Sequence, residues 1–329
     1  MVRSVWDAAK SAGFVLGWTL TAGVAAAAPP GKAATKKPSL TRALAALKVP
    51  PAWFAQTPVK WSTSRPWKEG RLEIRRLLAL GTQAGNRQAV KLSWLYRRKK
   101  DIGNGHEWPM YLFMGGQTAW ATRAYEEFLQ ASPERNTHAY LDLMSCYRHF
   151  GEYEKAKATA ARAMKNLPPP PWRIASEANV HDGLGDLYAE LGDKKSARLH
   201  YAKAAELYPK SKQPYGRHLL ARRAAKVRAK IDLLDMGAIE PGRLADGKYA
   251  GRSLGYTGPL GVVVTVRQGR ITDVVVQHKE KIHQNATRII PQRIVAAQSL
   301  NVDAVTSATI TSQAIVDATL QALKKAGRK

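Results

Sequence analysis

A spaced pattern of tyrosine, glycine, alanine and proline occurs twice along this chain, and its period constrains the fold more than any other feature. Tyr147, Gly151, Ala156, Ala163 and Pro168 reappear as Tyr188, Gly192, Ala197, Ala204 and Pro209, each 41 residues later. A fainter earlier copy holds Gly116, Ala121, Tyr125 and Pro133, the last of them 35 residues before Pro168. Self-similarity at this period marks a supersecondary unit that buries its apolar face only by stacking on its neighbours. The residue types have local reasons. Glycine permits a tight turn between paired helices, alanine lets helices approach, and proline stops the second helix.

The segment from Leu184 to Pro209 resembles a tetratricopeptide repeat. About three units are recognisable, and the stretch Leu72 to Arg97 reads as a degenerate fourth. Such repeats stack into a superhelical array with a concave face. The extra length between the last two copies is taken up by Pro168 to Trp172. The helix that follows, roughly Arg217 to Leu234, carries Leu220, Ala224, Val227, Ile231 and Leu234 on one face. Arg217, Arg222, Arg223, Lys226, Arg228 and Lys230 occupy the other, which reads as the solvated outer face of a capping helix, with a docking site as the alternative.

The N-terminus reads as an export signal. Arg3 and Lys10 bracket its start, Ser11 to Val24 is apolar and uncharged, and Ala25 to Ala27 offer small residues at the cleavage positions. Cleavage is expected after Ala27, with an uncleaved anchor as the alternative. Either way the remainder is expected outside the cytoplasm, in the periplasm or cell envelope. Residues 28–66 read as a Pro- and Lys-rich linker and lead-in, where Trp53, Phe54 and Trp61, with Trp67 just beyond, anchor an extended segment to a domain. The expected organisation is therefore a signal at 1–27, this lead-in, an all-α repeat domain at 67–236, a connector at 237–243 and a small α+β domain at 244–329.

Several function classes fall away. The chain has 52 Lys and Arg against 25 Asp and Glu, a net charge of +27, but shows no zinc-finger, RNP or basic-zipper pattern. The charge therefore reads as a soluble surface that attracts anionic membranes or an acidic partner protein rather than nucleic acid. With a single cysteine, Cys146, there is no intramolecular disulfide, no Cys-x-x-Cys-His and no iron–sulfur spacing. The histidines form no ligand cluster, and Gly251-x-x-x-Gly255 lacks the spacing of a dinucleotide fingerprint.

After Leu244 the helical period gives way to a strand period. Val262 to Arg267 and Ile271 to His278, joined across Gln268-Gly269, read as a hairpin. Val262, Val264 and Val266 line one face of the first strand, and Val274 and Val276 one face of the second. A helical stretch around Ile289 to Leu300 follows, and then a hydroxyl-rich run, Thr306 to Ser312, before a last helix from about Gln313. Thr311 or Ser312 is placed to cap that helix, whose free amides and positive dipole end favour a phosphate.

From Asp246 to Leu323 the sequence resembles the covalent FMN-binding domain of the flavin subunits of sodium-pumping NADH:quinone reductase, related ion-pumping complexes and exported electron carriers. The matching residues are Asp246-Gly247-x-Tyr249-x-Gly251, Gly255-Tyr256-x-Gly258-Pro259-Leu260, His278-Lys279-Glu280 and Asp303-Ala304-Val305-Thr306-Ser307-Ala308-Thr309. The resemblance implies FMN joined by a phosphoester to Thr309, attached by a separate flavin transferase that uses FAD and Mg2+, and electron exchange with envelope redox proteins. It also makes Asp303, Thr306, Ser307 and Ala308 phosphate-side residues. Tyr256 and the turn Gly258-Pro259-Leu260 become candidates to lie against the ring, and His278 and Glu280 either contact it or fix the strand end. Two departures stand out. Ser307 occupies a position where glycine is usual, and Lys281-Ile282-His283-Gln284 replaces the Thr-Pro-Gly loop of the respiratory subunits. The resemblance is thus closer to stand-alone exported domains than to a pump subunit. A repeat scaffold that no longer carries flavin is the alternative.

Overall fold

The computed structural model describes residues 37–103, 105–134, 136–236, 242–280, 285–302, 304–305 and 308–327. The export signal and its cleavage position lie outside the described residues, as do Asp303, Thr306 and Ser307 and the replaced loop 281–284.

Helices come first, in pairs. After α1 (Leu40–Ala45) and α2 (Trp53–Gln56) the pairs are α3 (Trp67–Ala79) with α4 (Gln83–Arg98), α5 (Glu107–Met114) with α6 (Thr118–Ala131), α7 (Thr137–His149) with α8 (Tyr153–Lys165), and α9 (Arg173–Glu190) with α10 (Lys194–Leu207). The turns inside the last three pairs are made by Gly116, Gly151 and Gly192, at φ 76°, 74° and 78°. The identical left-handed setting explains why glycine recurs at the repeat period. Ala121, Ala156, Ala163, Ala197 and Ala204 are all fully buried, so each repeated alanine is a point of close helix contact. The stretch from Leu72 to Arg97 forms the pair α3 and α4.

The lead-in is ordered where its aromatics are. Phe54 packs edge-on against Trp94, at 6.2 Å between centroids, and lies 6.1 Å from Trp120. Lys91 Nζ caps the end of α2 by donating to the carbonyls of Phe54 and Thr57 at 2.5 and 2.7 Å. Trp61 Nε1 donates to Tyr96 Oη, and Tyr96 donates to the Arg65 carbonyl, both at 2.9 Å. These contacts fasten the segment across α4 and α6.

The capping helix α11 (Arg217–Met236) departs from expectation. Its apolar stripe packs on α9 and α10, but its basic face is largely covered rather than solvated. Ala229 and Leu233 join the core of the C-terminal domain, and Arg223 and Lys230 are buried. The reason lies on α9, where Asp182 and Asp186 stand four residues apart on the facing side. Lys230 Nζ donates to Asp182 Oδ1 at 2.5 Å and to Asp186 Oδ1 at 2.6 Å, and Lys226 pairs with Asp182 at 3.6 Å. Only Arg217 and Arg228 of the basic set are fully exposed.

The C-terminal domain is a three-stranded antiparallel sheet in the order β1-β2-β3, with β1 (Gly247–Leu254), β2 (Pro259–Arg267) and β3 (Arg270–Gln277), covered by α12 (Ala286–Ala297) and α13 (Thr309–Ala326). The segment that forms β1 carries no alternation of apolar and polar residues. At Gly251 a Cβ would lie 1.9 Å from the Ala318 carbonyl oxygen on α13, so only glycine there lets strand and helix touch. Asp246 accepts the Gln268 and Gly269 amides at 2.9 and 2.8 Å and fixes the hairpin turn, whose two residues have φ 52° and 66°. On β3 the expected alternation is broken by a bulge at Thr272, because Thr265 faces Asp273 while Val266 faces Ile271. Ile271 and Val274 therefore both reach the core, and Val276 is only half-buried.

Candidate functional site

The site is assembled where β1 ends, β3 ends and α13 begins. Gly255 donates to the Gly258 carbonyl at 2.8 Å, closing a tight turn over Tyr256 and Thr257. The Glu280 carboxylate lies under that turn and is buried. One oxygen accepts the Tyr256 amide at 3.0 Å, and the other accepts the Thr257 amide at 2.8 Å. The oxygen that takes Tyr256 also accepts the Thr311 hydroxyl at 2.6 Å. Glu280 thus ties the 255–258 turn to the first turn of α13. His278 is exposed and uses Nδ1 to accept the Glu280 amide at 3.1 Å, so it shapes the strand end.

The start of α13 differs from the expected cap. The helix begins at Thr309, not near Gln313, and its N-cap residue is Ala308, which supplies no side-chain hydrogen bond. Thr311 and Ser312 lie inside the first turn. Ser312 Oγ accepts the Val305 amide at 3.0 Å and donates to the Ala308 carbonyl at 2.8 Å, holding the preceding loop against the helix. The hydroxyls expected to cap are therefore committed elsewhere. A helix start with threonine first and an N-cap residue that supplies no side-chain hydrogen bond suits an anion on that threonine, since first-turn amides have no partner within the helix.

The ring-side candidates divide. Tyr256 is half-buried, with its ring edge-on to His218 at 6.0 Å between centroids. Pro259 is exposed and Gly258 faces open space, where an added Cβ would meet nothing within 4 Å. Leu260 instead begins the inward series that continues at Val262 and Val264, and its side chain is packed in the core. Of the phosphate-side candidates, Ala308 is buried beside Thr309, which is half-buried. The residues that sequence reasoning missed are on the repeat domain. Arg222 Nε donates to the Gly255 carbonyl, and His218 meets Tyr256. The basic stripe of α11 contained the signal, but only the folded chain shows which of its members face the sheet domain.

A family model for the FMN-binding domain matches residues 255–324, and one for the tetratricopeptide repeat matches residues 178–211. The sheet-and-helix unit is thus an FMN-binding domain, preceded by a tetratricopeptide-like helical array. Two curated relatives are similar to part of the chain. One is the NADH:acrylate oxidoreductase of Vibrio harveyi, 36% identical over 90 residues, which are 26% of this chain and 9% of that protein. The other is an uncharacterized protein of Treponema pallidum (strain Nichols), 38% identical over 88 residues, which are 26% of this chain and 24% of that one. The chain therefore spans a small part of either relative's length. No solved structure matches it.

Because the Tyr256, Thr257 and Gly258 amides and the Thr311 hydroxyl all donate to the Glu280 carboxylate, its replacement tests the site's rigidity. Glu280→Gln is expected to cost about 2–3 kcal/mol, the scale of lost hydrogen bonds to a charged group. Hydrogen exchange should read this as faster exchange confined to residues 255–258 and the first turn of α13. Unchanged protection there would show that the turn holds its shape without the carboxylate.

Proposed function

We propose that this chain is an exported electron-transfer flavoprotein carrying FMN in phosphoester linkage on Thr309, with the helical array as its partner-docking module. The observation that carries the reading is the threonine at the first position of α13 behind an alanine N-cap without side-chain hydrogen bonds. A phosphate bonded to that residue lies over helix-terminal amides and at the positive end of the dipole. Bound FMN supplies reversible electron uptake and release.

The chain's own residues attach and position. In maturation by a flavin transferase with Mg2+, the Thr309 hydroxyl gives up its proton and bonds to the flavin-side phosphorus of FAD, and AMP leaves with the other phosphate. Asp303, Thr306 and Ser307 are assigned to the phosphate side of this step. Glu280 and the 255–258 turn hold Tyr256, Gly258 and Pro259 beside the helix start, where they define the ring side. Export places the domain among envelope redox proteins. The net charge of +27 favours fast, salt-sensitive encounter with an acidic partner.

The test is intact mass of the chain co-expressed with a flavin transferase and exported, beside Thr309→Ala. The expected result is a mass increase of FMN less one water, lost completely in the variant. No increase, with a transferase that labels another protein of this family, leaves the alternative reading of a repeat scaffold without flavin.

A further inference from the structure

Helices α12 and α13 cover one face of the sheet, the side that carries Val262, Val264 and Val266. The strand register fixes what stands on the other. Ala250, Val263 and Val275 are cross-strand partners there and form an apolar row over the three strands. Lys248, Thr265 and Asp273 flank this row on one side, and Arg252, Gly261 and Gln277 on the other. Arg267 ends β2 on the same face. Leu254 pairs with Pro259 at the end where the 255–258 turn begins. Val275 is 49% exposed and Leu254 39%, which leaves two large apolar side chains in water on one small domain.

Both edges of the sheet carry a side chain where an added strand would pair. Lys325 Nζ donates to the Ala250 carbonyl on β1 at 2.7 Å. On β3 the Gln298 side chain accepts the Ile271 amide at 2.9 Å and donates to its carbonyl at 2.7 Å. A partner therefore meets the face rather than an edge. The charges on that face select its chemistry. Lys248, Arg252 and Arg267 are exposed there against one carboxylate, Asp273. A second copy of the chain would bring the same cations to the contact, and like charges repel. An acidic protein meets both features, with an apolar centre to bury and cations around it to pair.

We propose that this open sheet face docks the acidic redox protein that exchanges electrons with the flavin. The redox role rests on the flavoprotein reading, and the docking rests on the face itself. A protein seated there reaches Leu254 and Pro259, the residues on either side of the ring-side turn. The FMN-binding domain thus has a docking surface of its own beside that of the helical array.

Hydroxyl-radical footprinting of the full chain with the soluble domain of cytochrome b5, an acidic haem protein, tests this. Leu254, Pro259 and Val275 are expected to lose labelling when the probe is added. Association kinetics supply a second measurement. The triple variant Lys248→Glu, Arg252→Glu, Arg267→Glu should associate about tenfold more slowly at low ionic strength, the lower end of electrostatic steering. The triple variant Arg42→Glu, Lys48→Glu, Lys194→Glu, at exposed positions on the lead-in and the array, changes the net charge equally and should slow association far less. The two should converge in about 1 M salt, where the screening length is about 3 Å. No association, or equal slowing by both triples, overturns the proposal, as does labelling lost from the array while the sheet face keeps its own. Protection of the face by phosphatidylglycerol vesicles and not by the probe would make it a membrane contact and overturns it too. Thr309→Ala should bind the probe as the wild type does. A wild-type chain that gains no mass from the transferase therefore removes the flavoprotein reading, while the footprint still decides the docking face.

Discussion

Gly251→Ala is expected to unfold the FMN-binding domain while the helical array stays folded. The added methyl would sit 1.9 Å from the Ala318 carbonyl oxygen and 2.7 Å from the Ala322 nitrogen. Both are helix backbone atoms, so no side-chain rotation relieves the clash. Strand β1 has to move off α13, and the contact between them is the widest that α13 makes with the sheet. The cost should be about 3 kcal/mol, the upper end for overpacking, and a large part of what stabilises a domain this small. The tryptophans make the outcome readable. Every one lies at or before Trp172, so tryptophan fluorescence reports the array and the lead-in but not the sheet domain. A denaturation curve followed by tryptophan should shift little, while amide exchange across residues 247–277 should accelerate to near-unprotected rates. Protection of β1 equal to the wild type would mean that the helix and strand separate at no cost, and would refute the packing argument.

The helical array was legible because its constraints are local and recur. A left-handed glycine between paired helices and a buried alanine at each crossing leave the same mark every time they are used, as Gly151 and Gly192, or Ala156 and Ala197, show. The hairpin was legible for the same reason, from valine alternation and a two-residue turn. Strand β1 was not, since Gly251 serves a contact with a helix some seventy residues away and carries no strand signature of its own. The bulge at Thr272 was hidden by the same limit, because period-two counting on one strand says nothing of its partner's register. At the site, the motif identified Thr309 and Glu280, but the roles came from packing. Glu280 proved to be a clamp on backbone amides, and Thr311 and Ser312 proved to be braces rather than caps. The basic face of α11 was misread for a plain reason. A run of cations looks solvated unless the acids that bury it are seen, and Asp182 and Asp186 lie 44 residues before Lys226 and Lys230.

Those acids lead to the second large effect. Lys230→Met should destabilise the array by about 3–5 kcal/mol, because it removes one partner from a buried ionic cluster and leaves charge behind. Lys230 is 3% exposed, and its ammonium bridges Asp182 and Asp186, while the Tyr201 hydroxyl donates to Asp186 at 2.7 Å. Burial pulls the Asp182 carboxyl up, but the Lys230 and Lys226 ammoniums outweigh it and hold the group below the usual carboxylate range. A carboxyl depressed in the folded state contributes stability that is present above its unfolded value and lost as pH falls through the folded one. The gap between wild type and Lys230→Met should therefore be widest near neutrality and should close below about pH 4, where the acids take up protons in both. Urea denaturation monitored by tryptophan at several pH values measures this. The triple variant Asp182→Asn, Asp186→Asn, Lys230→Met removes the stranded charges along with the cation and should recover most of the loss. If the single variant is as stable as the wild type at neutral pH, the cluster is not what seats α11. If it falls as expected, the cluster sets the orientation from which Arg222 and Lys226 face the FMN-binding domain. In that case a change confined to the helical array should also loosen the turn at Gly255.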